Sequence, residues 1–171
     1  NQTNMQVQLA AISNPEKQTK FENCVADVNI PLGEVFTSPK LAGTNGILNV
    51  GTVYIGDIQY RNLLMEFQDG RVVSAVCDNF EKDGTVDLEA GHRLIVQGIM
   101  NGHEMLPLGE FAIGTNTTAY AMAEKFGILD RLPILIVEKM GPHFAVGDTC
   151  YSWSEDSPMY NPDGKEMIAR D

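Results

Sequence analysis

Five side chains in this sequence have the types that metal-assisted hydrolysis requires. Hydrolysis with two cations uses several carboxylates, at least one histidine and usually an extra group that stabilises the developing oxyanion. The carboxylates are Glu34, Glu110 and Glu138, the imidazole is His143, and the phenol is Tyr151. Each lies beside a stretch with a strong secondary-structure pattern, where a stiff backbone can fix a side chain. These five residues form the candidate site.

Two of the carboxylates follow or interrupt apolar segments. Glu110 lies inside residues 108–112, Leu-Gly-Glu-Phe-Ala, and Glu138 directly follows residues 133–137, Pro-Ile-Leu-Ile-Val. Burying a carboxylate is costly unless the group is paired or binds a metal. Both residues therefore require a partner.

Prolines restrict the backbone beside the other two candidate ligands. Glu34 lies between Pro31 and Pro39, and such flanking prolines predict a stiff extended loop or an edge strand rather than a helix. His143 directly follows Pro142. The sequence thus predicts little local freedom at either position.

Each residue of the candidate site also has an ordinary structural alternative. Glu34 suits a loop cap or a salt bridge, Glu110 suits an edge strand facing solvent, and Glu138 suits a surface turn. His143 suits a hydrogen-bonded structural histidine, and Tyr151 suits a core or interface aromatic. Taken one at a time, these residues leave the choice between structure and chemistry open.

Strand and turn patterns dominate the first half of the chain. Alternation of apolar and polar residues predicts a strand within residues 3–12, and β-branched residues predict one or two strands at 46–55. Residues 63–76 predict a hairpin, because Asp69 and Gly70 supply the positive-φ positions of a tight turn.

The second half mixes helices with strands. Apolar spacing predicts amphipathic helices at 88–100 and 119–126. Strands are predicted at 108–114 and 144–146, and the continuous apolar run at 133–137 indicates a central strand covered on both faces. The predicted fold class is α+β, with a mixed, strand-rich sheet partly rolled on itself and two or three helices.

Length and charge restrict the classes of function. A chain of 171 residues is long enough for one domain with a real core. The formal net charge is −11, and no run of Lys or Arg interrupts it, so a phosphate backbone would be repelled. Nucleic acid is therefore excluded as an expected partner.

Cysteine usage and hydropathy indicate the compartment. Cys24, Cys77 and Cys150 are odd in number and lack zinc-like spacing, so neither a disulfide framework nor a structural zinc is indicated, and a cytoplasmic location is expected. No apolar run approaches the roughly 18 residues of a membrane span, so no membrane contact is predicted. His92 and His103 are interpreted as structural. Motifs for serine nucleophiles and for phosphate loops are absent from the sequence.

Three motifs, in their order along the chain, resemble those of the thermophilic aminopeptidase family, the aminopeptidase S/T metallopeptidases. The first is Asn-Ile-Pro-Leu-Gly-Glu-Val-Phe-Thr-Ser-Pro at 29–39, and the second is Leu-Gly-Glu at 108–110. The third is Glu-Lys-Met-Gly-Pro-His-Phe-Ala-Val-Gly at 138–147, followed by Tyr151. The resemblance spans residues 29–151.

This resemblance implies a role for each residue of the candidate site. Glu34, Glu110, Glu138 and His143 would lie at a dinuclear centre that binds two divalent metal ions, zinc or cobalt. Glu110 would bridge the metals or act as the general base, and Tyr151 would match the catalytic tyrosine of the family. The family completes its site with a downstream His-x-Asp pair, and this sequence has no histidine after His143.

The same resemblance implies that residues 1–171 are a partial, C-terminal-type catalytic domain of a longer protein, without the N-terminal domain and the final segment. The expected function is that of a metal-dependent aminopeptidase acting on a peptide substrate, with weak or no turnover by this chain alone. The expected oligomer is a homodimer. The alternative is a non-catalytic β-rich binding or assembly module that has kept the fold without the metals.

Overall fold

The computed structural model describes residues 2–24, 32–147 and 158–168. Within these ranges the fold is strand-rich, with three α-helices and several sheets, and the predicted α+β class is confirmed. The elements in chain order are β1 (Asn4–Gln8), β2 (Gln18–Thr19), β3 (Glu22–Asn23), β4 (Glu34–Thr37), β5 (Lys40–Ile55), β6 (Ile58–Gln68), β7 (Arg71–Val76), β8 (Glu81–Lys82), β9 (Thr85–Val86), α1 (Leu88–Gly98), β10 (Leu108–Gly114), α2 (Thr117–Lys125), α3 (Ile134–Val137), β11 (Pro142–Val146) and β12 (Glu166–Met167). Short 3-10 turns occupy Leu129–Arg131 and Glu138–Met140.

Four antiparallel strands in the order β1-β5-β6-β7 form the first sheet, here called sheet I. The hairpin predicted from Asp69 and Gly70 is confirmed: it joins β6 to β7, and the two residues have φ angles of 43° and 67°. The predicted strand within residues 3–12 is β1. Residues 46–55 are the second part of one long strand, β5, which begins at Lys40.

The second sheet, called sheet II, has the antiparallel order β11-β10-β4-β3. β10 pairs with β4 on one side and with β11 on the other, and Ala112 lies opposite both Phe36 and His143. The predicted strands at 108–114 and 144–146 are confirmed as β10 and β11. Sheet II positions the candidate site.

Both predicted amphipathic helices are present, and each begins at a side-chain cap. The Asp87 carboxylate accepts a hydrogen bond from the backbone amide of Ala90 at the start of α1, at 3.0 Å. The Asn116 side chain accepts one from the backbone amide of Ala119 at the start of α2, at 2.9 Å. Such caps satisfy backbone donors that have no partner inside the helix.

The prediction of a central strand at 133–137 is wrong. These residues begin a short helix, α3, because the backbone amides of Ile136 and Val137 donate to the carbonyl oxygen of Pro133 at 2.9 and 3.1 Å. Ile134 packs against the core of sheet I, whereas Leu135 is 55% exposed. A short apolar run has no periodicity that separates a strand from a half-buried helical turn.

Two groups of buried side chains stabilise the fold. The larger, core I, lies between sheet I and α1 and includes the fully buried Tyr60 and Ile95. The smaller, core II, lies on one face of sheet II and consists of Cys24, Phe36, Ala112 and Met167. Met167 comes from β12, which pairs in parallel with β2.

No helix within the described ranges is long and apolar enough to cross a membrane.

Candidate functional site

Three candidate residues from three different strands face the same side of sheet II. On β10, Glu110 and Ala112 share this face, because side chains two residues apart point the same way. Glu34, on β4, lies opposite Gly114 of β10. His143, on β11, lies opposite Ala112 of β10. Since Ala112 is small and fully buried, the longer side chains on either side of it reach towards each other above it.

Glu34 is the first residue of β4 and is only 6% exposed. The expected extended loop or edge strand is wrong in one respect: β4 lies between β10 and β3, so Glu34 belongs to an inner strand. Its backbone carbonyl accepts a hydrogen bond from the amide of Cys24 on the neighbouring chain segment, at 3.0 Å. The inner position explains why the carboxylate needs the partners described next.

A buried lysine connects two of the candidate carboxylates. The ammonium of Lys139, whose side chain is 1% exposed, pairs with Glu34 Oε1 and with Glu138 Oε1, the second at 2.9 Å. Glu138 therefore lies in a 3-10 turn beside the site, not at the end of a strand as the sequence pattern predicted. It approaches Glu34 only through Lys139.

Lys139 is the site residue that sequence reasoning missed. Lysine is almost never fully buried unless it is paired, and Lys139 directly follows Glu138, which suits a surface turn by its sequence pattern. The only local signal is that Lys139 directly follows the apolar run 133–137, which favours a partly buried segment. Its partner Glu34 lies 105 residues away in the sequence, so no local pattern indicates the pair.

The imidazole of His143 is held by the backbone on one side and faces carboxylates on the other. Its Nδ1 lies 3.1 Å from the carbonyl oxygen of Gly141, and because a carbonyl only accepts, Nδ1 carries the proton. Its Nε2 lies 3.1 Å from Glu34 Oε2 and 3.6 Å from Glu110 Oε1. Among the described residues the buried Nε2 has no hydrogen-bond partner, although both carboxylates lie close to it.

The carboxylates change the proton affinity of both basic groups. Burial lowers the pKa of His143, but Glu110, the Gly141 carbonyl and Glu34 raise it more, so the pKa is above its ordinary value. Burial likewise lowers the pKa of Lys139, and Glu34 and Glu138 together raise it above the ordinary value of lysine. Each cation is favoured because the buried carboxylates stabilise the charged form.

A cysteine also contacts the site. Cys24 is buried in core II, and its thiol hydrogen-bonds to the Glu34 carboxylate. Burial and the negative charge of Glu34 raise the pKa of this thiol, so it remains protonated and can donate to the carboxylate.

The donor set fits a divalent cation in its chemistry. A buried imidazole nitrogen without a hydrogen-bond partner points at two carboxylate oxygens, and nitrogen and oxygen donors of this kind bind zinc and similar ions. In the part of the chain that the structure describes, no three His, Cys, Asp or Glu side chains have the arrangement of a metal site. The side chains are arranged as an ion-paired cluster, with Lys139 and His143 as the cations.

Two clefts border the site at Pro142 and His143. One has a volume of about 270 Å³ and lies between β5, β6 and β11, with walls of Val50, Leu63 and other apolar side chains. The other has a volume of about 300 Å³ and includes Tyr120 of α2. An apolar group can therefore bind beside the segment that carries His143, as ligand sites commonly allow.

Four of the five candidate residues are thus brought into one cluster. Tyr151 lies outside the described residues, and its role stays a prediction. His92, which the sequence assigned to structure, has Nδ1 2.8 Å from the carbonyl oxygen of Ala75 and joins α1 to β7. His103 lies on an exposed stretch outside the cluster.

The chain is similar in sequence to a known protein family and similar in fold to a solved structure. A family model described as "Thermophilic metalloprotease (M29)" matches residues 1–158. Among solved structures, the fold is similar to wild-type AmpT from Thermus thermophilus, with a TM-score of 0.51 and 16% sequence identity. The similarity covers 98% of this chain but 36% of that chain. No sequence among the curated proteins matches the chain.

Proposed function

Because the chain belongs to the thermophilic metalloprotease family (M29), we propose that it is part of a metal-dependent aminopeptidase that removes N-terminal residues from peptides. Membership in this family implies divalent metal ions. The observation that carries the proposal is the convergence of Glu34, Glu110 and His143 from three strands on one face of sheet II.

We infer that two metal ions, zinc or cobalt, are held by Glu34, Glu110, Glu138 and His143. His143 Nε2 offers the nitrogen donor, and the hydrogen bond from Nδ1 to Gly141 fixes the ring in the tautomer that a metal needs. A divalent cation held by these residues would lower the pKa of water and polarise the scissile carbonyl.

Glu110 is the carboxylate best placed to move protons. Its side chain is 25% exposed, against 7% for Glu34, and Lys139 pairs with Glu34 and Glu138 instead. A partly exposed carboxylate that is not paired with the buried lysine can take a proton from the attacking water and later deliver it to the leaving amine. The cleft with apolar walls between β5, β6 and β11 would take the side chain of the substrate's first residue.

Replacing Glu110 tests this assignment. The substitution Glu110→Gln keeps the volume of the side chain and removes its basicity. In the longer enzyme to which this chain is proposed to belong, we expect kcat/KM for an amino-acid anilide to fall by about 100-fold or more, since a positioned general base contributes about 10²–10⁴. The measurement is paired with the metal content of each protein by elemental analysis.

The matched control is Glu124→Gln, an exposed glutamate on α2. It removes the same charge outside the cluster and is expected to leave turnover and metal content unchanged. Wild-type protein without divalent metal, or full turnover in Glu110→Gln, contradicts the proposed function.

A second function has one observation in its favour. The carboxylates of the site are already neutralised by Lys139 and His143, as in a cluster that stabilises a fold rather than a metal. This arrangement suits a non-catalytic β-rich binding or assembly module. Such a module would show no zinc-dependent change in thermal stability, whereas the peptidase would be stabilised by zinc.

The remaining expectations stay predictions. They are a peptide as the substrate, a homodimer as the oligomer and the cytoplasm as the location. Sedimentation equilibrium of the purified chain measures the oligomeric state, and a purely monomeric distribution contradicts the homodimer.

A further inference from the structure

Among the described residues of the ion-paired cluster, Lys139 is the most deeply buried charged group. Its side chain is 1% exposed, and its ammonium lies between carboxylate oxygens of Glu34 and Glu138. Removing an ammonium group from water costs several kcal/mol, which is recovered only with good pairing. A lysine in this position therefore requires an explanation that a surface ion pair does not.

The backbone around Lys139 is fixed to sheet II. The Lys139 carbonyl accepts a hydrogen bond from the amide of Asn116, and the Gly141 carbonyl accepts one from the amide of Gly114, both at 2.8 Å. A side chain on residue 114 would overlap the backbone of residues 138–140. The ammonium therefore lies at the carboxylates because the fold places it there.

The charges of the cluster show what Lys139 does. The carboxylates of Glu34, Glu110 and Glu138 lie around the same two basic groups, Lys139 and His143. Neighbouring like charges destabilise each other. Lys139 takes one oxygen of Glu34, Oε1, and leaves the other, Oε2, facing His143. The lysine thus offsets the repulsion and also orients the carboxylate.

We propose that Lys139 is a positioning residue that acts as the resident counter-cation of the site. It allows the chain to fold around three carboxylates before a divalent metal is bound, and it keeps Glu34 Oε2 directed towards His143 for that metal. This inference rests on the proposed function, because it assumes that a divalent cation enters the cluster.

The test compares Lys139→Met with wild type in two conditions. Without metal, in EDTA, the variant leaves Glu34 and Glu138 without the Lys139 ammonium, and we expect its Tm to be roughly 10 °C lower. With saturating ZnCl₂, the added dication replaces the missing charge, and we expect at least half of that difference to disappear. Differential scanning calorimetry of the full chain measures both values.

The matched control is Lys82→Met, which removes a lysine from an exposed strand. It is expected to keep the wild-type Tm in both conditions. A double variant, Lys139→Met with Glu138→Gln, removes one charge of each sign and is expected to recover part of the Tm lost in EDTA. If Lys139→Met alone does not fold without metal, its soluble yield with and without zinc in the growth medium gives the same comparison.

Two results overturn the inference while leaving the proposed function intact. In the first, the Tm of Lys139→Met in EDTA equals that of Lys82→Met. In the second, zinc raises the Tm of wild type but leaves the Tm difference between wild type and Lys139→Met unchanged, as expected for a lysine that only packs. If zinc does not raise the Tm of wild type at all, the proposed function fails, and this inference fails with it.

Discussion

The two ring nitrogens of His143 have opposite environments. Nδ1 is bound to the Gly141 carbonyl, whereas Nε2 faces Glu34 and Glu110 without a hydrogen bond. A lone pair directed at two carboxylates is unfavourable unless a proton or a metal cation lies between them. At the scale of single residues, the site is therefore built to bind a positive charge at Nε2.

The raised pKa of His143 predicts a specific dependence of stability on pH in the metal-free chain. Because the folded-state pKa lies above the unfolded one, the stabilisation is complete below the ordinary value of 6.5 and is lost as pH rises through the raised value. We expect the free energy of unfolding of wild type, measured with urea in EDTA, to decrease over this window relative to His143→Gln.

The control for this measurement is His103→Gln, which changes an exposed histidine outside the cluster. Its stability is expected to follow the wild-type pH dependence. A wild-type curve parallel to that of His143→Gln would show that the imidazole gains nothing from Glu34 and Glu110.

At the scale of elements, the site depends on how the turn at 138–140 docks on β10. The turn approaches the end of β10 so closely that Gly114 has no space for a side chain, although its backbone does not adopt a positive φ. The glycine is therefore required for steric reasons alone. The docked turn places Lys139 next to Glu34. This explains why residues 138–140, whose sequence suits a surface turn, contribute a buried cation.

Gly114→Ala tests the docking. The added methyl group would push the turn away, and we expect a loss of about 1–3 kcal/mol in the free energy of unfolding, as for other overpacked sites. Gly51→Ala is the matched control, because this β5 glycine has open space around its Cβ position and no positive φ. Equal stability of the two variants in urea unfolding would contradict a tight turn.

At the scale of the molecule, core II connects distant parts of the chain on the same face of sheet II as the site. Met167 on β12 packs with Cys24, Phe36 and Ala112, although more than a hundred residues separate it from the first two in the sequence. Phe36 lies two residues after Glu34 on β4. The packing of the C-terminal strand therefore supports the strand that carries the most buried carboxylate.

Met167→Ala measures that support. Met167 is 4% exposed, and truncating a buried methionine leaves a cavity that costs about 2–5 kcal/mol. Met105→Ala, at a methionine that is 53% exposed, is expected to change stability by less than about 0.5 kcal/mol. If both variants unfold at the same urea concentration, core II does not tie β12 to sheet II.

The sequence by itself determined the features that depend on neighbouring residues. The Asp69-Gly70 hairpin, the two amphipathic helices and the strand around Glu110 follow from local backbone preferences, and the structure confirms them. The motifs around Glu34, Glu110 and His143 also indicated the family, which the match over residues 1–158 confirms.

Only the tertiary structure decided what depends on contacts between distant segments. In the structure, the apolar run at 133–137 is a helical turn rather than the predicted strand, and Glu34 lies on an inner strand. Lys139 lies between two carboxylates. A carboxylate's partner can lie 105 residues away, as Lys139 does from Glu34. Local sequence patterns report backbone preference and burial, but the pairing of buried charges is set by which elements the fold brings together.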